Sequence, residues 1–196
     1  MTAVDDRLIT DATEIFRRLE VPEGYKAELL RGNIVMMAGP DWVHNDIVES
    51  VLDQIPRKPW QRKQTQDVAF PRETSEPQPD LVVLPRDAFA GPGRLIPAEA
   101  VTFLLEVVSK SSVDHDYRIK RSVYAAGKVP AYLIVDPIAA ECCLLTEPYG
   151  EGEDADYRIE RISKFGEAVP LELLDVTLDT SEFPTLPGVR RYHRPR

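Results

Sequence analysis

Two apolar segments that indicate buried strands each contain a single carboxylate. Asp80 lies in segment 79–84, Pro-Asp-Leu-Val-Val-Leu, and Glu106 lies in segment 101–108, Val-Thr-Phe-Leu-Leu-Glu-Val-Val. An ionised carboxylate among aliphatic side chains carries a desolvation cost of several kcal/mol unless a cation or hydrogen-bond donors compensate for it. Two such placements in consecutive strands therefore indicate a common cause. A metal ion bound by both carboxylates would be such a cause.

The chemistry available to this pair depends on whether the two strands are neighbours. Alternate residues of a strand point to the same face, so Asp80 and Glu106 can meet if their strands pair in register. Magnesium and manganese prefer oxygen ligands, and magnesium usually takes one or two carboxylates, several waters and the phosphate oxygens of a substrate. The pair therefore predicts a Mg²⁺ or Mn²⁺ site that acts on a phosphate ester.

Lys120 is the candidate for the group that orients the attacking water and stabilises charge on the phosphate. It lies four residues from both Asp116 and Tyr124, so the three side chains follow one stripe of a predicted helix. The same spacing is also typical of a surface ion pair between Asp116 and Lys120, contributing about 0.3–0.5 kcal/mol. Lys110, which follows Glu106 closely, is an alternative for the same role.

The elements that must position these residues follow from hydrophobic periodicity. The longest apolar stretches, 80–84 and 101–108, indicate central strands with both faces covered. The other predicted elements are an amphipathic helix over 43–55, a strand over 65–70, a helix over 113–126 that stops at a left-handed Gly127, and a strand over 131–135. The order helix, three strands, helix, strand predicts an α/β (α+β) fold, a mixed sheet flanked by helices.

Further elements are predicted at both ends of this core. They are a short helix that starts near Asp11 and Glu14, a β-hairpin over 25–37, a hairpin from 142–146 and 157–162, and short strands near 171–174. We expect the basic tail, 183–196, to be loosely ordered. Residues 1–196 are too few for several cores and contain no linker, which predicts a single domain.

Composition limits the partners of the chain. The net charge of −9 argues against a broad basic surface that captures nucleic acid. Local basic clusters remain at 57–63, at Lys120 with Arg121, and at 190–196, although each is also typical of a solvated surface or a frayed terminus. No apolar run is long enough to cross a bilayer, and the start of the chain lacks the features of a secretory signal. We therefore expect a cytoplasmic protein without membrane contact.

The order of several motifs resembles the Uma-two family, bacterial candidate endonucleases with the restriction-endonuclease-like PD-(D/E)XK fold. The motifs are Tyr-Lys-Ala-Glu-Leu-Leu-Arg-Gly-Asn-Ile-Val at 25–35, His44, Pro-Asp-Leu-Val-Val at 79–83, Glu-Val-Val-Ser at 106–109, the stretch 116–120, Tyr124, and Gly-Lys-Val-Pro-Ala-Tyr-Leu-Ile-Val-Asp-Pro at 127–137. The resemblance covers about residues 10–180, and the joint order of the motifs is more specific than any one of them.

The resemblance implies that Asp80 and Glu106 bind the metal and that a lysine assists the nucleophilic water. The superfamily lysine would fall two residues after the glutamate, where this chain has Val108, and Lys120 matches a helix lysine that replaces it.

Three further residues match family positions near the site. Glu28 and His44 are candidates for an additional ligand or a phosphate contact, and Tyr124 is a further candidate site residue. Two alternatives stay open, because Glu28 could face solvent and His44 could make ordinary hydrogen bonds at a helix start.

Two functions on this fold compete. The leading hypothesis is a homodimeric endonuclease that hydrolyses DNA with a divalent metal. The alternative is a catalytically inactive, dimeric binding or assembly module, supported by the acidic composition and by Val108. A doubly wound nucleotide-binding enzyme is disfavoured, because no glycine-rich phosphate loop joins a strand to a helix.

Overall fold

The computed structural model describes residues 6–189, 192 and 195, with side chains from residue 12 onward. The helices are α1 Asp6–Arg18, α2 Trp42–Gln54 and α3 Arg121–Ala126, and a π-helix, His115–Lys120, runs directly into α3. The strands are β1 Tyr25–Leu30, β2 Asn33–Ala38, β3 Trp60–Gln64, β4 Val68–Ala69, β5 Leu81–Pro85, β6 Ile96–Pro97, β7 Phe103–Val107, β8 Ala131–Asp136, β9 Glu141–Tyr149, β10 Asp156–Lys164, β11 Val169–Leu171 and β12 Val176–Leu178.

A six-stranded sheet with the order β10-β9-β8-β7-β5-β3 forms the centre of the fold. Strands β7 and β8 are parallel, and the other neighbours in this sheet are antiparallel. The order α2, β3, β5, β7, π-helix with α3, and β8 confirms the predicted mixed sheet flanked by helices.

Both faces of the central strands are buried, which explains their nearly continuous apolar sequences. In β7, Phe103 and Leu105 pack on the face covered by α2, whereas Leu104 packs on the face covered by the π-helix and α3. Glu106 has the same parity as Leu104. The carboxylate of Glu106 therefore points toward the π-helix.

The strand predicted over 65–70 is wrong in position. The strand that pairs with β5 is β3, and Thr65 leaves the extended conformation with φ 49°. Because β3 is an edge strand, its sequence Trp-Gln-Arg-Lys-Gln lacks the apolar alternation by which buried strands are recognised. The short strand β4 pairs with β6 outside the main sheet.

The helix ends also differ from the predictions. Helix α1 begins at Asp6, ahead of Asp11, which lies inside the helix. Gly127 has φ −73°, and the left-handed residue is Lys128 with φ 59°. Gly127 is required for a different reason, because a Cβ atom at this position would overlap the ring of Phe70.

Several smaller features complete the fold. No helix in the described part of the chain is long and apolar enough to span a membrane. Cys142 and Cys143 are buried on opposite faces of the sheet, and neither forms a disulfide with a described residue. Within the predicted tail, Phe183 packs on Phe165 with ring centroids 5.4 Å apart, and positions 190, 191, 193, 194 and 196 lie outside the described residues.

We expect Gly127→Ala to lower the free energy of unfolding by about 1–3 kcal/mol, because the added methyl group must displace the Phe70 ring. The matched control is Gly91→Ala, where a Cβ atom would lie 3.6 Å from Phe89, so stability should be unchanged or slightly higher. Urea denaturation measures both. Equal stability of the two variants would contradict the proposed contact, and Phe70→Leu should relieve the Gly127→Ala defect.

Candidate active site

Strand pairing brings the two predicted carboxylates together. Leu81 pairs with Leu105, so Asp80 lies opposite Glu106 one position further along. The Asp80 amide donates to the Leu105 carbonyl at 3.1 Å, and the Val107 amide donates to Asp80 Oδ2 at 2.8 Å. Asp80 and Glu106 line one cavity of about 470 Å³. The strands of the predicted pair are thus neighbours in register.

The β1–β2 hairpin contributes two charged residues to this cavity region. Lys26 and Glu28 alternate along β1, so they point to the same side of the strand. Glu28 is fully buried, and its Oε1 accepts a hydrogen bond from the Gln78 amide at 2.9 Å. The Lys26 Nζ lies 3.6 Å from Glu28 Oε1 and 3.7 Å from Asp80 Oδ1. The solvent-facing alternative for Glu28 is therefore wrong.

The π-helix places Lys120 at the centre of the carboxylates. Its Nζ lies 2.9 Å from Glu106 Oε1, 3.1 Å from Glu28 Oε2 and 3.5 Å from Asp116 Oδ1. Lys120 and Asp116 are each 1% exposed, so the alternative of a surface ion pair is wrong. π-helical turns are rare and often occur at functional sites.

Helix α2 and helix α3 add one polar side chain each. Asp41 caps α2 by accepting from the His44 amide at 2.9 Å, which fixes the first turn. His44 Nε2 lies 2.9 Å from Asp80 Oδ2, while its buried Nδ1 has no hydrogen-bond partner among the described residues. Tyr124 donates its hydroxyl hydrogen to Glu106 Oε1 at 2.6 Å. All six predicted site residues therefore lie in one connected cluster.

The cluster has more negative than positive groups. Four buried carboxylates, those of Glu28, Asp80, Glu106 and Asp116, face the ammonium groups of Lys26 and Lys120. If all six groups are ionised, two negative charges are left in excess. One divalent cation would neutralise this excess.

Burial and neighbouring charges divide the carboxylates into two classes. Burial raises the pKa of Glu106 well above its usual value, although Lys120 opposes the shift, and burial likewise raises the pKa of Asp116. Burial also acts on Asp80, but Lys26 and the hydrogen bond from His44 hold the pKa of Asp80 below its usual value. Asp80 is therefore the firmly ionised member of the opposed pair, and Glu106 retains a proton more readily.

Lys120 remains protonated at neutral pH. Burial alone would lower the pKa of Lys120, but the carboxylates of Glu106, Glu28 and Asp116 raise it well above the usual value. A protonated ammonium donates hydrogen bonds and cannot accept a proton. The geometry therefore favours an electrostatic role for Lys120 over that of a general base.

The donor set fits a hard divalent cation bound mainly by oxygen. Among the described residues, no cluster of three or more His, Cys, Asp and Glu side chains is arranged to hold a metal. Mg²⁺ commonly uses only one or two carboxylates and keeps several waters. Asp80 and Glu106, opposed across the cavity wall, could supply those two, whereas Glu28 Oε2 already lies 3.1 Å from the Lys120 ammonium.

Some contributors to the cluster were not identified from the sequence. Lys26 could have been found, because it precedes Glu28 by two residues on a predicted strand. The Gln78 and Val107 amides carry no sequence signal, since any residue but proline supplies a backbone donor. Lys110, the alternative to Lys120, is exposed at the cavity rim, and Val108 is buried in the core.

A mixed sheet flanked by helices, with opposed acids on two central strands, defines a restriction-endonuclease-like protein. The Uma2 family model, described as "Putative restriction endonuclease", matches residues 13–181. The chain therefore belongs to the Uma2 family, which confirms the resemblance identified from the motifs.

One solved structure is similar over most of both chains, a crystal structure titled as a "putative nuclease belonging to DUF820" from Anabaena variabilis ATCC 29413. Its TM-score is 0.62 at 12% identity, covering 83% of this chain and 90% of that chain. At this identity the likeness establishes the fold. No curated protein matches the chain.

Lys120→Met should lower the free energy of unfolding by about 3–5 kcal/mol, because it leaves several buried carboxylates without their main counter-charge. Lys110→Met is the matched control, and as an exposed position it should change stability by less than about 0.5 kcal/mol. Urea denaturation at pH 7 measures both variants. A Lys120 variant as stable as the control would contradict the central position of this ammonium.

Glu106→Gln should alter the pH dependence of stability of the metal-free protein. The folded-state pKa of Glu106 is raised, so its contribution to stability is present below the ordinary carboxyl pKa of 4.5 and is lost as pH rises through the folded value. Between pH 5 and pH 8 the wild type should therefore lose stability relative to the variant, by at most about 1.4 kcal/mol for each pH unit. Denaturation in EDTA measures the stability of both proteins across this pH range. If the two curves of stability against pH are parallel, Glu106 ionises normally and the prediction is wrong.

Proposed function

We propose that this protein is a divalent-metal-dependent endonuclease that hydrolyses phosphodiester bonds of DNA. The observation that carries the proposal is the opposition of Asp80 and Glu106 across one cavity, in a cluster with two more carboxylates than ammonium groups. Membership in the Uma2 family, described as "Putative restriction endonuclease", supports the choice of a nucleic-acid substrate. The homodimer predicted from the pseudo-symmetry of duplex DNA is part of the proposal, and sedimentation would test it.

In this proposal Asp80 and Glu106 hold the metal, Mg²⁺ or Mn²⁺. When bound, the ion lowers the pKa of its water and polarises the phosphoryl oxygen. His44 and the Val107 amide keep Asp80 oriented, as their contacts of 2.9 Å and 2.8 Å with its Oδ2 indicate. The remaining oxygen, Oδ1, receives no hydrogen bond from either of them and lies 3.7 Å from the Lys26 ammonium.

Lys120 acts in the proposal as a hydrogen-bond donor. Its ammonium contacts Glu106, and from that position it can donate to the attacking water or to a phosphate oxygen that gains charge in the transition state. Glu28 and Asp116 keep Lys120 protonated and in place. Tyr124 donates to Glu106 Oε1 and so fixes the orientation of the carboxylate that would help to hold the ion.

Purified wild-type protein should cleave DNA in the presence of Mg²⁺ or Mn²⁺ and not in EDTA. Asp80→Asn should lower the rate by about 10²-fold or more, because the replacement removes a charged ligand while keeping the size of the side chain. Gel analysis of supercoiled and linear DNA measures the rate. Asp87→Asn, at an exposed position outside the cavity, is the control and should cleave like the wild type.

Ion binding can be measured separately from cleavage. Mn²⁺ should stabilise the wild type against heat, by about 2.7 kcal/mol at one hundred times its dissociation constant, and should not stabilise Asp80→Asn. Equal cleavage by wild type and Asp80→Asn would show that the activity comes from another site or a contaminant. Absence of both stabilisation and cleavage would refute the proposal.

The catalytically inactive binding module is the second candidate. The observation that favours it is the contact of Lys120 with both Glu106 and Glu28, which already compensates part of the buried charge. Titration calorimetry with Mg²⁺ and Mn²⁺ separates the two functions. A protein that binds DNA but neither ion at millimolar concentration would favour the module.

A further inference from the structure

A basic groove lies along the free edge of the central sheet. It follows β3, the terminal strand of the six, and has a volume of about 240 Å³. Four cationic side chains line it, those of Arg57, Arg62, Lys63 and Arg86. We call this surface the edge groove. None of the described residues that line it is acidic, in a chain whose net charge is −9.

The cations of the edge groove have no ion-pair partner in the part of the chain that the structure describes. Arg57, Lys63 and Arg86 are exposed, and among the described residues none of them forms an ion pair. By contrast, Arg31 and Arg121 are paired with carboxylates. Arg62 has a structural role, because it donates to the carbonyls of the last turn of α2 at 2.5 Å. Three cations of the groove are therefore available to an external anion.

The edge groove adjoins the cavity of the candidate active site at one residue. Gln64 lines both of them. In the sheet register, Gln64 pairs with Leu81 and Lys63 pairs with Val82. Lys63 therefore lies only two residues, about 7 Å along the strand, from the level of Asp80. An extended polyanion that enters the cavity could continue along β3.

The other two basic clusters of the sequence do not offer this arrangement. Lys120 is buried, and Arg121 is held by Asp156 and Glu160. The arginines of the terminal cluster, 190–196, lie outside the described residues. Of the three basic clusters, the 57–63 cluster is thus the one whose described residues include exposed cations next to the cavity.

We propose that the edge groove binds the sugar-phosphate backbone of DNA on one side of the phosphodiester bond that enters the cavity. This inference rests on the proposed function, since it assigns the path of the same substrate. Arg57, Lys63 and Arg86 each contact phosphate oxygens and do not take part in the chemistry. Because phosphate contacts carry little sequence information, the groove contributes affinity and orientation.

The test compares two double variants that remove the same charge from opposite edges of the sheet. Arg57→Gln with Lys63→Gln changes the edge groove. Arg158→Gln with Lys164→Gln changes exposed cations on β10, which form no ion pair with a described residue. Fluorescence anisotropy with a labelled DNA duplex in EDTA measures binding without cleavage, over a range of salt concentrations.

The groove variant should bind DNA more weakly than the wild type. The slope of log affinity against log salt should fall in magnitude by about 2, because about 0.9 counterions are released for each phosphate contact. The β10 control should keep the wild-type slope. Equal slopes for the two double variants, or no DNA binding by the wild type, would overturn the inference.

A second readout locates the DNA. In a Trp42→Phe background, Trp60 is the only tryptophan and lines the edge groove. Its emission should change on addition of DNA, and an unchanged spectrum at saturating DNA would count against the groove.

These measurements separate the groove from the catalytic proposal. If the groove variant cleaves DNA normally and binds it like the wild type, the proposed role of the groove is wrong and the proposed function stands. If DNA binding depends on the groove but the wild type never cleaves DNA, the groove binds DNA and the proposed catalytic function is wrong.

Discussion

The structure depends on the compensation of buried charge around Lys120. Its ammonium contacts Glu28 of the hairpin, Glu106 of β7 and Asp116 of the π-helix, so one cation connects three elements. None of these carboxylates could remain ionised in the interior without such a partner. The same contacts therefore hold the hairpin, the sheet and the π-helix together.

The same requirement explains how this chain departs from the usual superfamily pattern. A lysine two residues after Glu106 would replace Val108, which is buried in the core beneath the π-helix. The ammonium that contacts Glu106 belongs to Lys120, on the π-helical turn that directly precedes α3. Its high pKa follows from the surrounding carboxylates and makes it a donor of hydrogen bonds.

The accuracy of the sequence predictions follows from burial. Strands β5, β7 and β8 were located correctly, because a continuous β-branched and aliphatic run is typical of a strand that is covered on both faces. The position of the edge strand β3 was predicted wrongly, since none of its residues is fully buried and its sequence is mostly polar. Gly127 was assigned a turn conformation, although its real constraint is the nearby ring of Phe70, to which no sequence pattern points.

The sequence by itself determined the family, the order of the core elements and the six candidate residues, because each depends on residue type and short-range spacing. Only the tertiary structure decided that Asp80 stands opposite Glu106, that Lys26 joins the cluster, and that Glu28 is buried. It alone placed the 57–63 cations beside the cavity. Strand register, burial and pKa values depend on contacts between residues far apart in the chain, and local patterns carry no information about such contacts.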